Sequence, residues 1–404
     1  MSVTSAPAAT ADAALPREAR ATLGTCGAVH AVHDGVGDCI YLFLPLWQAE
    51  LGLSLAEVGA VKTMFGLGLA TLQMPASLLA ERVGERIVLA LGTALLGLGY
   101  VLAGYSGGAV ALGGAILLTG IGASVQHPLS STLISRASAG PALRVALSTY
   151  NFLGDVGKVA VPALAAVLVG LWGWRATMET IGLAGVLAGL AVFLLLRRVA
   201  PVAGAHPDAP PKGAAPAPVA THWPRFANLG AVAALDSAAR TGTLTLLPFV
   251  LIGKGAAVST VGLALSLVFA GGAAGKFVCG LMAIRWGVVA TVVATEIATA
   301  AAVLALNWLP LSAILPLLPL LGLALNGTSS ALYGSVPETV ARDKLARAFG
   351  LFYTLSVGGS TTAPFLFGYL SDEAGLQTAL VALACLVLAI LPLTLPLRWL
   401  DRRR

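Results

Sequence analysis

The sequence predicts an all-α membrane protein whose twelve transmembrane helices form two parallel-repeat six-helix bundles. Three observations predict it. Of the 404 residues, 57% are hydrophobic and only 10% charged, with a mean hydropathy of +0.89. Soluble domains carry roughly 25% charge, and a chain this apolar lacks the polar residues to clothe a water-facing surface. Next, the chain divides into twelve apolar runs, each of roughly the 20 residues a helix needs to cross the hydrocarbon. Finally, the two sets of six runs resemble one another at a shift of about 202 residues. An even number of helices per copy gives both copies the same orientation, a parallel repeat.

The elements follow in order. Residues 1–23 are Ala/Thr-rich and polar without the apolar core of a signal peptide, so a cytoplasmic N-terminal tail is expected. The N-terminal bundle, 24–198, holds runs starting near 24, 55, 87, 109, 144 and 175. Residues 199–225 are expected to form a cytoplasmic linker, because their Pro/Ala-rich stretch 201–222 cannot pack as a core. The C-terminal bundle, 226–397, holds runs starting near 226, 258, 287, 310, 346 and 375, and a basic cytoplasmic tail occupies 398–404.

Orientation comes from the cations. With both termini inside, eighteen of the 24 Lys and Arg fall on the cytoplasmic side, and only Arg175 and Lys254 on the other. The positive-inside bias therefore predicts a protein integral to the cytoplasmic (inner) membrane with both termini cytoplasmic.

Composition also excludes. The net charge of +6 is spread singly along the chain without a basic stripe, which argues against nucleic acid. Cys26, Cys39, Cys279 and Cys385 lie in apolar stretches without metal spacing, so they read as small core residues. No Walker loop, dinucleotide fingerprint, HExxH or GxSxG occurs, so no cofactor, no metal and no enzyme is expected. An intramembrane enzyme would find acid–base groups in the histidines and aspartates, but hydrolysis does not need a twofold repeat. A sensor would need a signalling domain, and the sequence shows none.

Ionisable residues inside spans each cost about 2.5–3.5 kcal/mol at a helix centre, so they face a cavity or a partner. His30, Asp34 and Asp38 are spaced i, i+4, i+8 on one helical face, with His33 on its flank. Such a cluster serves either as a proton or cation site or as hydrogen-bonding groups that join neighbouring helices. His127 precedes Pro128, which removes a backbone donor and opens the helix. Asp155 and Lys158 are one turn apart, either an ion pair or a substrate contact. Asp236 and Arg240 have the same relation in the seventh run; matching HDGVGD (33–38) with LDSAAR (235–240) sets Asp236 against Asp34 and Arg240 against Asp38. Lys276 could hold an anion, snorkel, or pair with Asp236. Elsewhere AEVGA (56–60) matches STVGL (259–263), and Gly157 and Pro162 match Gly359 and Pro364.

The loop SLLAERVGER (77–86) is similar to the GxLaDRxGRR loop of the major facilitator superfamily. Ser77 and Glu81 replace its glycine and aspartate, and Arg82, Gly84 and Arg86 are kept. The counterpart GLMAIRWG (280–287) keeps Gly280, Arg285 and Gly287 but carries Ile284 at the acidic position. Over residues 24–165 the chain resembles the fosmidomycin-resistance branch of that superfamily's drug exporters. That likeness rests on His30-x-x-x-Asp34 and on GASVQHPLSS (122–131), with Gln126 in place of Phe; GDVGKVAVP (154–162) has Val161 where the fifth-span signature has Gly.

The resemblance implies the major facilitator fold and a secondary transporter working by alternating access, with proton-coupled efflux of a small organic molecule, an anion among the candidates. Uptake by symport is the alternative. Asp34, Asp38 and His30 are then expected to carry the proton. His33, His127, Asp155, Lys158, Asp236, Arg240 and Lys276 are expected to line the substrate path, and Glu81, Arg82 and Arg86 to form a conformational latch. The expected partners are a small-molecule substrate, protons and the lipid bilayer, with the chain working as a monomer.

Overall fold

A computed structural model describes residues 17–138, 140–196, 221–341 and 344–399, which are helical almost throughout and contain no strand. In chain order the helices are α1 (Arg17–Leu51), α2 (Leu55–Val83), α3 (Glu85–Gly104), α4 (Ala109–Ala123), α5 (Gln126–Ala137), α6 (Gly140–Leu195), α7 (Trp223–Gly253), α8 (Val258–Trp286), α9 (Val288–Trp308), α10 (Leu311–Ser335), α11 (Leu345–Ala374), α12 (Leu376–Leu388) and α13 (Ile390–Thr394). They make the twelve expected crossings. α4 and α5 share one, α6 holds two divided at Gly173 (φ 77°, ψ 169°), and α12 with α13 makes the last.

The helices outrun the bilayer. α2 and α8 have 29 residues each, about 44 Å of helix against roughly 30 Å of hydrocarbon. α1 starts at Arg17 and α7 at Trp223, so both begin before their apolar runs and continue into segments read from sequence as tail and linker. Residues 1–16, 197–220, which include most of the Pro/Ala-rich stretch, and 400–404 lie outside the described residues. Large apolar side chains such as Val110, Phe277, Ile284 and Trp308 stand outward, as suits a surface whose solvent is lipid.

The repeat is visible atom by atom. A Cβ on Gly157 would meet the backbone oxygen of Ala31 at 2.0 Å, and one on Gly359 would meet that of Ala234 at 2.1 Å. Each glycine lets its helix lie against the first crossing of its own half. Gly84 and Gly287 form a second matched pair, with φ 92° and 91° at the α2–α3 and α8–α9 joints, a backbone region that strains other residues.

These contacts correct the sequence register. Ala31 answers to Ala234 and Gly84 to Gly287, an offset of 203 and not 202 in this part of the chain. Asp34 therefore corresponds to Ser237, Asp38 to Thr241, and Asp236 to His33. A one-residue slip turns a helical position by about 100°, which moves Asp236 onto a different face from Asp34.

Because the crossings are even in number, both described ends lie on one side. On the far side the halves are joined. Ser54 caps α2 by accepting from Glu57 N at 3.1 Å, and Glu57 accepts from Ser54 N at 2.9 Å, a reciprocal box. Asp372, at the end of α11, accepts from Leu55 N at 2.9 Å and Ala56 N at 2.7 Å, so an acid of one half satisfies the first amides of a helix of the other. Below it a Cβ on Gly59 would lie 2.2 Å from Pro364 O, and Thr63 Oγ1 donates to Thr361 O at 2.8 Å. The opposite seam is tied by Ser266 Oγ donating to Val159 O at 2.8 Å.

Candidate functional site

Between the halves lies a cavity of about 320 Å³, lined from α1, α2, α4 to α8, α10 and α11. The corrected register explains the α1 and α7 contributions. Asp34, Gly37, Asp38 and Tyr41 line it from α1, and their equivalents Ser237, Arg240, Thr241 and Leu244 line it from α7.

Asp34 is the hub of the ionic groups. Lys158 Nζ stands 3.3 Å from Asp34 Oδ2 and 3.5 Å from Asp38 Oδ2. His127 Nε2 is 3.7 Å from Asp34 Oδ1, and His30 Nε2 is 3.1 Å from Asp34 Oδ2. The His30 ring is oriented from behind: its Nδ1 lies 2.9 Å from the backbone oxygen of Tyr150. A carbonyl can only accept, so Nδ1 carries a proton. Nε2 then faces the Asp34 carboxyl and makes no hydrogen bond of its own among the described residues.

The break between α4 and α5 delivers the next two groups. Pro128 stands third in α5, where its missing N–H is tolerated, and the interruption turns Gln126 and His127 into the cavity. Gln126 Nε2 donates to the Tyr150 hydroxyl at 2.8 Å, and the Tyr150 ring lies 4.2 Å from the His30 ring, centre to centre. The residue standing in place of Phe thus braces the tyrosine that holds His30.

Several expected site residues fall elsewhere. His33 borders the cavity, but its Nε2 lies 2.9 Å from Thr93 Oγ1, which itself donates to Leu89 O at 2.8 Å. The hydroxyl's proton is committed, so His33 donates and serves to join α1 to α3. Asp155 does not pair with Lys158 one turn away. It meets Lys276 Nζ at 2.6 Å across the seam between α6 and α8, which also settles Lys276's choice of partner against Asp236. Arg240 and Asp236 make no ion pair among the described residues; Arg240 Nη2 lies 3.5 Å from Ser237 Oγ and borders the cavity. Asp236 is 4% exposed, sits behind the lining, and meets Glu296 of α9.

Two residues were missed in the sequence. Lys62, 7% exposed, projects from α2 into the cavity with its ammonium 4.7 Å from the Tyr41 ring centre and 4.5 Å from that of Phe65. Glu296 is a lone acid in an apolar run. In the expected latch, Arg86 lies over the Phe193 ring at 4.5 Å, and Glu81 and Arg82 enter no ion pair among the described residues. The loop acid that does is Glu85, 2.6 Å from Arg136 Nη1. On the far side Arg175 donates to Glu50 Oε1, Gly104 O and Ser106 O, each at 2.8 Å, and Trp174 donates to Glu50 Oε2.

The model of the Major Facilitator Superfamily matches residues 27–233 and again 229–404. The chain belongs to the Major Facilitator Superfamily. This family member is 31% identical over 166 residues to the fosmidomycin resistance protein of Escherichia coli (strain K12), covering 40% of each chain. It is 26% identical over 150 residues to the probable L-galactonate transporter of the same organism, covering 37% of this chain and 33% of that one. The matches thus span about two-fifths or less of these relatives' lengths. Among solved structures, a bacterial homolog of the human lysosomal transporter Spinster, inward-facing and unoccupied, superposes with a TM-score of 0.80 at 17% identity. That match covers 97% of this chain and 99% of the other. Family and fold are those of transporters and not of enzymes.

Proposed function

We propose that this transporter moves a small organic anion through the central cavity, and that Asp34, with Asp38 and His30, carries a coupling proton. The observation that carries the reading is the Asp34 hub, where one carboxyl meets a lysine and two histidines beside the cavity. Anion preference rests on the lining, where Lys62, Lys158 and Arg240 outnumber Asp34 and Asp38 by three to two. The distribution of cations orients both termini and the linker to the cytoplasm, so the joined far side is the outer face and the molecule is inward-facing in the inner membrane. His127 and Gln126 would contact the substrate, and Asp155 with Lys276 would hold the seam. The loop of Glu81, Arg82 and Arg86 would engage in the opposite state, and the chain would work as a monomer.

Direction divides into two readings. Export in exchange for protons follows the likeness to a resistance protein. Symport is favoured by a specific observation: Lys158 is held by both Asp34 and Asp38. Protonating Asp34 removes one of its partners and frees the cation for an anion, so proton and anion would bind together. Proteoliposomes offered fosmidomycin and L-galactonate separate the two. Accumulation driven by an acidic lumen indicates exchange, and accumulation driven by an acidic exterior indicates symport. Flux of either probe indifferent to both gradients refutes proton coupling.

A further inference from the structure

The least expected group is the pair of acids behind the cavity. Asp236 of α7 is 4% exposed and Glu296 of α9 is 2% exposed, both near the middle of their helices. The two carboxyl groups lie close enough to act on one another directly, and two buried carboxylates at such range repel unless a proton is shared between them. The charged and polar groups that act on the pair are few. Arg240 lies one turn further along α7, and the Thr328 hydroxyl of α10 meets Glu296 while also standing 2.7 Å from Thr295 Oγ1. Asp236 Oδ2 and Glu296 Oε1 have no hydrogen-bonding partner among the described residues.

The repeat shows what this position needs for structure alone. With the offset of 203, Asp236 answers to His33 and Glu296 to Thr93, and in the first half that pair forms a single hydrogen bond between α1 and α3. One neutral bond is enough to join the first and third crossings of a half. The second half replaces it with two titratable acids at the same place, which structural bonding does not require.

We propose that Asp236 and Glu296 form a proton-binding site of the C-terminal half, separate from the Asp34 hub, holding one proton between two carboxyls. Losing that proton would leave two buried negative charges facing one arginine, and Arg240 also borders the cavity. The site is therefore in electrostatic reach of whatever anion the cavity holds, and this inference stands whichever way substrate moves.

Infrared spectroscopy of the purified full-length protein tests it directly. Wild type labelled with ¹³C-carboxyl glutamate or aspartate should show the stretch of a protonated carboxylic acid that moves on labelling and disappears at high pH. That band should be absent in Glu296→Gln. The paired substitution Asp236→His with Glu296→Thr installs the bond found in the other half, so it should fold. It should abolish the band and remove the loss of thermal stability that wild type suffers as pH rises and the second charge forms. A wild-type spectrum without a label-sensitive acid band at any pH, or a doubly substituted protein whose stability tracks pH as wild type does, overturns the proposal. Neither measurement uses a substrate or a pH gradient, so its failure is distinct from failure of proton coupling at Asp34.

Discussion

Lys158 holds two carboxylates apart within the cavity, so its removal is the sharpest single-residue perturbation. In Lys158→Met, Asp34 and Asp38 lose their shared cation, and a polar partner left unsatisfied costs about 1–3 kcal/mol, more when charged. We expect a lower melting temperature and no transport, with stability regained when Asp34→Asn is added, because the two changes act on one contact. Thermal unfolding of the single and double variants measures this, and strictly additive losses would count against the ion pair. At this scale the sequence was informative where a pattern existed. His30, Asp34 and Asp38 stand out by helical spacing, and His127 by its proline. Lys62 and Glu296 do not, because each is a lone charge in an apolar run and its partner is set by packing. The Asp34–Asp236 match was a coincidence of identity. The signal that would have prevented it was present, since the VG of AEVGA and of STVGL already sits at 203.

At the scale of elements, the α2–α11 contact is the far-side closure. Asp372 satisfies two amides of α2, and loss of a cap costs about 0.5–2 kcal/mol. Asp372→Ala should therefore shift the population toward far-side opening roughly 2- to 30-fold. A cysteine placed at Thr361 and probed with an impermeant reagent from outside should react faster in that background; an unchanged rate would show that the carboxylate is not part of the closure. The α2–α3 joint makes a second prediction. Gly84 has φ 92° and ψ 139°, so Gly84→Ala carries strain of order 1–3 kcal/mol and should lower thermal stability while leaving the cavity's ligand affinity within a few fold. Helix number and most starts were legible from apolar runs, because lipid forces every crossing to be a helix. The opening of the fourth crossing was legible in Pro128; the turn at Gly173 that divides the fifth crossing from the sixth without a loop was not, since it depends on local backbone geometry that hydropathy does not report.

As a whole, the molecule joins a twofold scaffold to an asymmetric set of charges. The two halves place equivalent positions around one cavity, but the first half supplies Asp34, Asp38, Lys62 and Lys158 and the second supplies Arg240, so the carboxylates and most of the cations face the cavity from one side. Topology belongs here too: a single cysteine at position 212 should be shielded from an impermeant reagent in intact cells, and labelling from outside would reverse the orientation. The central claim is that Asp34 carries the coupling proton, and one comparison tests it most directly. Flux of the proposed organic anion is measured in proteoliposomes of wild type and Asp34→Asn with and without an imposed pH gradient. The amide imitates the protonated acid, so Asp34→Asn should fold, lose gradient-driven accumulation, and keep counterflow exchange, which needs no net proton movement. Accumulation by Asp34→Asn against the substrate gradient in response to the pH gradient would contradict the account.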